Sequence, residues 1–402
     1  MSTPSETPPA RFEPRSGETW RDPFSMYKSL RDHDPVHQFE YEGNEIWALS
    51  RFKDVFSAAV EAKTFSSAQG LTMAEGEMER LGIDPPIVMM DPPDHTALRK
   101  LAVKRFTPKQ VMAIEPMLRV FVKERVARLR QAGGGDVVAE LFKPLPSLVV
   151  GHFLGVPEAD QRLFDRWTDA IVAANAEGDM ANGGDAIGEL LAYFGERIEV
   201  VRKDPGDDMI SALVHAELEG SEVPLVKILG FAFTMVTGGN DTTTGLLSGA
   251  AEHLTRHPDQ RRLLAKEPER TVNAVEEFLR ITSPVQGLAR TTTRDVTIEG
   301  KTIPKNRKVM LLYASANRDE REFGDDADTC DVTRKVKRHV ALSYGPHHCI
   351  GAAVARLQTR IALEELIVAC PDFTVDYEAG QFASGNFVRR YSTLPFAPDG
   401  DA

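Results

Sequence analysis

The chain has 402 residues, of which 42% are hydrophobic and 27% charged, a globular composition that excludes disordered and fibrous classes. Its 48 Lys and Arg against 60 Asp and Glu give a net charge of −12, which argues against a general nucleic-acid binder. No stretch approaches the roughly 18 consecutive apolar residues of a membrane helix, so we expect no membrane anchor. We also expect no signal peptide, and three cysteines are too few for a disulfide framework, which indicates a cytoplasmic protein.

The chain begins with a Pro-rich stretch, residues 1–20, which predicts a flexible N-terminal tail. We find no repeat and no convincing linker after it, so a single domain is expected over residues 21–402. Residues 36–41 and 45–50 alternate apolar and polar side chains, which predicts a small β-hairpin.

A long helix is predicted to begin at Pro224 and to end before Pro258. Proline fits the first helical turn, where its missing N–H costs nothing. About 34 residues at 1.5 Å each span roughly 50 Å, enough to cross a domain, so we expect this helix at the centre of the fold. Shorter patterns predict helices within 94–223 and over 268–281 and 352–368, and strands over 295–298 and 308–313. The fold class is therefore mainly α with minor β.

A cysteine, Cys349, lies between Gly345 and Gly351, directly before the last predicted helix. Glycine permits a tight loop, and the N-terminal amides of a helix favour a thiolate. The residues alone leave four interpretations open: a buried structural cysteine, a zinc site with His347 and His348, a Cys–His nucleophile, or a thiolate ligand to haem iron. Adjacent ligands crowd a zinc tetrahedron and no CxxC or HxxxH partner is present, which disfavours zinc.

The segment GPHHCIG, residues 345–351, resembles the cysteine loop of the cytochrome P-450 superfamily of haem-thiolate monooxygenases. The family's pattern begins with Phe-Gly, where this chain has Leu342 and Ser343. The resemblance covers essentially the whole chain and is of the soluble bacterial type, similar to actinobacterial and mycobacterial members. It implies the cytochrome P-450 fold, with a long central helix over the haem and a small β-rich lobe. It also implies a haem b cofactor with Cys349 as the axial ligand to iron.

Glu277 and Arg280 match the family's Glu-x-x-Arg motif. Side chains three residues apart share one helix face, so this pair can bond side by side. The resemblance implies a structural role: with a third cation, the pair braces the loop that carries Cys349. Arg334 is our candidate for that cation, although the family often places it nearer to Thr329.

The segment GGNDTT, residues 238–243, lies near the middle of the long helix. Glycine and asparagine are poor helix formers. They predict either close packing of another helix on Gly238 and Gly239, or a local break that leaves room for oxygen and water. The segment resembles the family's acid–alcohol pair, with Asp241 as the acid and Thr242 as the alcohol. In that interpretation, a carboxylate that reaches solvent and a hydroxyl deliver the protons that oxygen activation needs.

The segment DPPDH, residues 91–95, followed by Arg99, resembles the part of the family that meets the haem propionates. His95 and Arg99 are four residues apart and share a helix face, and arginine suits bidentate carboxylate binding. Arg290 and His347 match the other propionate partners. Without the resemblance, the segment is typical of an ordinary charged helix start.

By resemblance, the substrate pocket is formed by residues 68–90, 233–238, 285–288 and 386–388. Within these segments the candidate pocket residues are Gly238, Val285, Leu288 and Phe387. The segments are rich in apolar side chains, which predicts a small apolar organic substrate.

The resemblance implies a monooxygenase that inserts one atom of O2 into its substrate. The chain has no flavin, nicotinamide or iron–sulfur motif, so we expect electrons from a ferredoxin with its NAD(P)H-dependent reductase. A basic stretch is the candidate docking site: Arg99, Lys100, Lys104, Arg105 and Lys109, joined by Arg356 and Arg360. The alternatives are a peroxide-driven haem peroxygenase, disfavoured because such relatives lack the acid–alcohol pair, and a non-catalytic haem sensor.

Overall fold

The computed structural model describes residues 10–78, 84–177, 184–218 and 220–400. The fold is mainly helical with small sheets, which confirms the predicted class. The α-helices are Phe24–His33, Phe52–Val60, Asp94–Ala102, Pro108–Ala113, Glu115–Gln131, Pro144–Leu154, Gln161–Glu177, Gly184–Val201, Met209–Val214, Leu225–Arg256, Pro258–Lys266, Thr271–Thr282, Tyr313–Ala316, Glu320–Phe323 and Ala352–Ala369. The strands are β1 Val36–Tyr41, β2 Asn44–Leu49, β3 Phe65–Ser66, β4 Gly135–Asp136, β5 Glu217–Leu218, β6 Ser221–Glu222, β7 Leu288–Thr292, β8 Val296–Ile298, β9 Lys301–Ile303, β10 Lys308–Leu311, β11 Thr374–Val375, β12 Gln381–Phe382, β13 Tyr391–Thr393 and β14 Pro395–Ala397. Within these ranges, no helix has both the length and the apolar character that crossing a membrane requires.

The helix Leu225–Arg256, here called the central helix, has 32 residues and is capped at its N-terminus by Pro224. Most of its second half is buried on every side, which a helix reaches only when other elements surround it. The apolar residues of its second half share one core with the helices Thr271–Thr282 and Ala352–Ala369. The predicted central position of this helix is confirmed.

The break predicted in the central helix at residues 238–243 is wrong, because the helix is unbroken from end to end. Polar side chains bond along the helix without displacing it: the Asn240 amide donates to the Val236 carbonyl at 2.7 Å. The packing interpretation applies to Gly239, where an added Cβ would lie 2.7 Å from Val150 of the helix Pro144–Leu154.

The largest sheet has the strand order β1-β2-β10-β7-β3. The predicted hairpin is confirmed, with β1 and β2 antiparallel and Val36 opposite Leu49. The strand predicted over 308–313 is shorter: it ends at Leu311, and Tyr313–Ala316 forms a short helix instead.

The expected flexible tail falls partly outside the described residues, which begin at residue 10. In the described part, residues 10–20, two aromatic side chains are buried, and the flexible tail stays a prediction. Phe12 and Trp20 are buried, and the Trp20 indole N–H donates to the Gly385 carbonyl at 2.7 Å. The single domain over residues 21–402 stays a prediction.

Candidate active site

Cys349 lies in a tight loop between the 3-10 turn Gly345–His347 and the helix Ala352–Ala369, here called the C-terminal helix. The Cys349 N–H donates to the Leu342 carbonyl at 2.9 Å, which closes the loop. Gly345 has φ +67°, and a Cβ there would lie 2.9 Å from the Val60 backbone. The loop is therefore fixed in place by its own backbone and by close contact with a neighbouring helix.

The Cys349 residue lies deep in the protein and yet keeps part of its surface accessible, as expected of a side chain that lines an internal space. Burial raises the pKa of its thiol, against the lowering by the Gly351 N–H and by the charges of Arg99 and Arg356. The protein alone therefore favours the neutral thiol. A positive metal bound to sulfur is the chemistry that would stabilise the thiolate here.

Ser343 occupies the position where the family has glycine, and the structure shows why glycine suits it. Its φ is +56°, in the left-handed region that costs other residues roughly 1–2 kcal/mol. The Tyr313 hydroxyl donates to the Ser343 hydroxyl at 3.3 Å, and the Ser343 N–H donates to the Val340 carbonyl at 2.9 Å. These bonds hold the strained backbone, so the departure from Phe-Gly leaves the loop intact.

Four nitrogen-bearing side chains, His95, Arg99, Arg290 and His347, form what we call the basic cluster. The His95 and His347 rings are 4.3 Å apart between centroids. The Arg99 guanidinium donates to the His348 carbonyl at 2.5 Å, and Arg290 donates to the Ala289 carbonyl at 2.8 Å. Neither arginine forms an ion pair with any carboxylate of the described ranges. The structure brings together all four residues expected at the propionates.

Burial and the neighbouring positive charges lower the pKa of both histidines of the basic cluster. Burial lowers the pKa of His347 to about 3, reinforced by the positive charges of Arg290, His95 and Arg99. Burial and Arg99 also lower the pKa of His95, and the buried Nδ1 of His95 has no hydrogen-bond partner. A buried cation is costly unless an anion pairs with it. The basic cluster therefore fits a ligand that carries carboxylates.

The central helix leaves open space near the middle of its length. Gly238 is exposed there, and a Cβ added to it would meet no atom within 4 Å. Thr242, one turn later, is partly accessible, and its hydroxyl donates to the Gly238 carbonyl at 2.8 Å. The thiol of Cys349 and the basic cluster are a set of side chains whose chemistry fits the iron and the carboxylates of a haem.

Asp241 differs from the expectation of a carboxylate that reaches solvent. It is buried, with 6% of its surface exposed, and its Oδ1 lies 2.6 Å from Nε of Arg390. Burial raises the pKa of the Asp241 carboxyl to about 6, although Arg390 and Lys143 lower it. The physical reason is that the C-terminal segment covers this face of the central helix.

Glu277 and Arg280 form a fully buried ion pair, with Oε1 2.7 Å from Nη2 and Oε2 2.7 Å from Nε. Arg334 lies 3.3 Å from the same Glu277 carboxylate and also pairs with Asp326 at 2.8 Å. The structure thus places the candidate third cation on the pair. The Thr329 carbonyl accepts from Arg280 at 3.2 Å.

The pair reaches the cysteine loop through Asn317. Arg280 donates to the Asn317 carbonyl at 2.8 Å, and the Asn317 side-chain oxygen accepts from the Val340 N–H at 2.8 Å. Val340 precedes the loop of Cys349 by a few residues. A shift of the ion pair would therefore move the base of the loop.

Two of the candidate pocket residues lie on neighbouring backbone. Val285 forms an isolated bridge with Val388, and the Gln286 N–H donates to the Phe387 carbonyl at 2.8 Å. Leu288 begins β7 and is partly exposed. The expected loop 68–90 is described only at residues 68–78 and 84–90.

Comparison with known proteins identifies the family. Cytochrome P-450 130 of Mycobacterium tuberculosis is 54% identical to this chain over 396 residues, covering 96% of this chain and 97% of the relative. The chain belongs to the cytochrome P-450 family. The family model named Cytochrome P-450 matches residues 184–376.

Two further cytochromes P-450 are similar over most of the chain. A vitamin D(3) 25-hydroxylase of Pseudonocardia autotrophica is 33% identical and covers 94% of both chains. The structure of a Mycobacterium marinum cytochrome P-450 in complex with pseudoionone superposes with a TM-score of 0.86 at 32% identity, covering 94% of this chain and 96% of that one. The fold and the monooxygenase class follow from these comparisons, as does a haem-thiolate iron cofactor.

Sequence reasoning missed a second set of contacts around the cysteine loop of this cytochrome P-450. The Glu276 carboxylate accepts from Arg356 at 2.5 Å and lies 3.2 Å from the His339 ring. Burial alone would raise the pKa of Glu276, but bonds from His339 and Arg356 lower it to about 2. Glu276 directly precedes Glu277 in the sequence, but no local pattern of residues indicates the partners of Glu276.

We predict that Glu277→Gln destabilises the protein by about 3–5 kcal/mol, because it leaves the buried Arg280 charge without a partner. The matched control is Glu267→Gln. Glu267 also pairs with an arginine three residues on, Arg270, at 2.5 Å, but the side chains of that pair are 32% and 42% exposed. The control should cost no more than about 1 kcal/mol. Unfolding monitored by circular dichroism compares the two, and equal losses would contradict the bracing role.

Proposed function

We propose that this cytochrome P-450 binds haem b through Cys349 and inserts one atom of O2 into a small apolar organic substrate, with electrons from a ferredoxin and its NAD(P)H-dependent reductase. The observation that carries the proposal is the thiol of Cys349 together with the basic cluster: Arg99 acts on both Cys349 and His347, and neither Arg99 nor Arg290 pairs with a carboxylate of the described residues. Such an arrangement suits an iron porphyrin with two carboxylates.

The residues suited to hold the cofactor are Cys349 for the iron and the basic cluster for the two propionates. When bound, haem with a thiolate ligand supplies the chemistry of oxygen activation. Non-covalent haem b fits this chain because it has no CxxCH motif for covalent attachment. The other two cysteines, Cys330 and Cys370, are buried.

Asp241 and Thr242 are the residues proposed to handle protons. The net reaction consumes substrate, O2, two electrons and two protons, and yields hydroxylated product and water. The Thr242 hydroxyl lies on the open side of the central helix and donates to the Gly238 carbonyl; release of that bond would free the hydroxyl to pass a proton on. Asp241 is its sequence neighbour, and a pKa of about 6 allows the carboxyl to take up and release a proton near neutral pH.

The apolar substrate is supported by the lining of the proposed pocket. Val285, Leu288 and Phe387 are hydrophobic, and pockets with such linings bind apolar ligands. Two similar proteins point the same way: one is named for vitamin D(3), and the other was solved with pseudoionone.

The ferredoxin proposal depends on the lysines beside the cysteine loop. Lys100, Lys104 and Lys109 are exposed and form no ion pair with the described carboxylates. The helix that carries Lys100 contacts the loop through the bond from Arg99 to His348. An acidic ferredoxin would be attracted to this surface.

Arg356 and Arg360 do not add to this basic surface as expected. Arg356 pairs with Glu276 at 2.5 Å, and Arg360 pairs with Glu115 at 2.8 Å. Their charges are therefore neutralised locally. Of the predicted docking residues, the three lysines are therefore the exposed cations without a described partner, and the side chain of Arg105 lies outside the described part of the structure.

A cytoplasmic location is part of the proposal. It is supported by the cysteines, because Cys330, Cys349 and Cys370 are all free thiols.

We predict that Thr242→Ala uncouples electron use from product formation, because the hydroxyl that donates protons is lost. With a heterologous ferredoxin system and an apolar compound that shifts the haem spin state, the variant should release more hydrogen peroxide and less product per electron. The control is Ser248→Ala, which removes a hydroxyl that bonds to the carbonyl four residues earlier, Thr244, at 2.7 Å. Unchanged coupling in Thr242→Ala would refute the role.

We predict that charge reversal of Lys100 and Lys104 slows reduction by the ferredoxin and weakens the dependence of that rate on salt. Stopped-flow reduction at several ionic strengths measures both effects. Reversal of two exposed lysines on other elements, Lys203 and Lys266, is the matched control. A rate that falls equally in both double variants would show a general charge effect and count against a docking site.

A further inference from the structure

Two consecutive arginines near the C-terminus bind two carboxylates of the central helix. Arg390 pairs with Asp241 at 2.6 Å, whereas Arg389 lies 3.6 Å from Glu252. Between those carboxylates lies Gly245, where a Cβ would come within 2.7 Å of the Arg389 carbonyl oxygen. The C-terminal segment therefore lies directly on the helix.

The same segment forms one side of the proposed pocket. Val388 bridges Val285, the Phe387 carbonyl accepts from the Gln286 N–H, and the Arg389 N–H donates to the Pro284 carbonyl at 2.8 Å. Arg390 follows directly along this backbone. The cation that binds Asp241 is thus fixed to the pocket wall rather than to a mobile surface side chain, and only 12% of its side chain is exposed.

We propose that Arg390 is a positioning residue for proton delivery: its guanidinium holds the Asp241 carboxylate in one orientation and stabilises its ionised form. This inference rests on the proposed role of Asp241.

Three charged side chains act on Asp241 from the elements packed around it: Arg390, Lys143 and Asp169. Lys143 and Asp169 pair with each other at 2.9 Å and are about half exposed, so their opposite charges largely cancel and are screened by water. Arg390 makes the direct contact. It is therefore the group that sets the charge balance of the carboxyl.

The contact has a direct consequence for proton transfer. When Asp241 gives up its proton toward Thr242, it becomes a buried anion, and Arg390 is in place to pair with that anion. Asp241 is then ready to take up the next proton. Without Arg390, burial would keep the carboxyl protonated at neutral pH, because an unpaired buried anion is costly.

The test follows the carboxylic acid band of Asp241 by infrared pH titration of the haem-loaded protein, with Asp241→Asn to assign the band. The wild-type midpoint should lie near pH 6. In Arg390→Gln it should move up by roughly 1–3 pH units, the usual effect of an opposite charge in contact. Arg390→Lys keeps the charge and should stay near the wild-type midpoint.

The matched control is Arg256→Gln, which removes a cation bound to Glu252 of the same helix at 3.0 Å and should leave the Asp241 band in place. An unchanged midpoint in Arg390→Gln would overturn the proposal. If that variant does not fold, Arg390→Lys decides: the midpoint should hold while peroxide release per electron rises, because the planar guanidinium contact is lost. If the midpoint of Arg390→Lys instead moves up as far as expected for Arg390→Gln, the proposal is overturned. Unchanged peroxide release per electron in Arg390→Lys would also overturn it.

The outcome is separable from that of the proposed function. The infrared midpoint needs no turnover, so a shift in Arg390→Gln supports the contact even if the wild-type protein forms no product. Normal turnover with an unshifted midpoint would leave the monooxygenase proposal standing and overturn the role of Arg390.

Discussion

Buried positive charge without a partner is the constraint on which the centre of this protein depends. The described chain provides no carboxylate to Arg99 or Arg290, and it holds the imidazoles of His95 and His347 against them. Such an arrangement is unfavourable by itself, because burial in a low dielectric penalises each charge. It becomes favourable when a ligand with carboxylates enters. The same interior raises the pKa of Cys349, which binding of iron would reverse.

The loop that carries this cysteine is held from two sides by one helix. Two adjacent residues of Thr271–Thr282, Glu276 and Glu277, point to different partners. Glu276 binds His339 and Arg356, on either side of the loop, and Glu277 acts through Arg280 on the segment that reaches Val340. Neutral or broken pairs at this helix would loosen the cysteine loop without touching the cofactor.

The features that depend on residues close together in the chain could be predicted from the sequence. The central helix, the β1–β2 hairpin and the side-by-side placement of Glu277 and Arg280 follow from local spacing. The prediction of a break at residues 238–243 was wrong. The side chains of Asn240 and Thr242 bond to carbonyls one turn earlier and leave the helix intact, which composition does not show. Propensity is a weak guide where packing decides.

Contacts between distant segments could not be predicted from spacing. Arg390 meets Asp241 only because the C-terminal segment crosses the central helix at Gly245, a close approach that no local pattern reveals. The packing of Trp20 against Gly385 is of the same kind. The resemblance to a family supplied the expected residues of the haem site, whereas the residues that tune them became visible only in three dimensions.

The central claim is that the sulfur of Cys349 binds haem iron. The most direct measurement is the absorption spectrum of the reduced, haem-loaded protein under carbon monoxide, for the wild type, Cys349→Ser and the control Cys370→Ser. We expect the strongly red-shifted band of thiolate-bound haem in the wild type and in Cys370→Ser, and its loss in Cys349→Ser. A wild-type spectrum without that band, or a band that survives in Cys349→Ser, would contradict it.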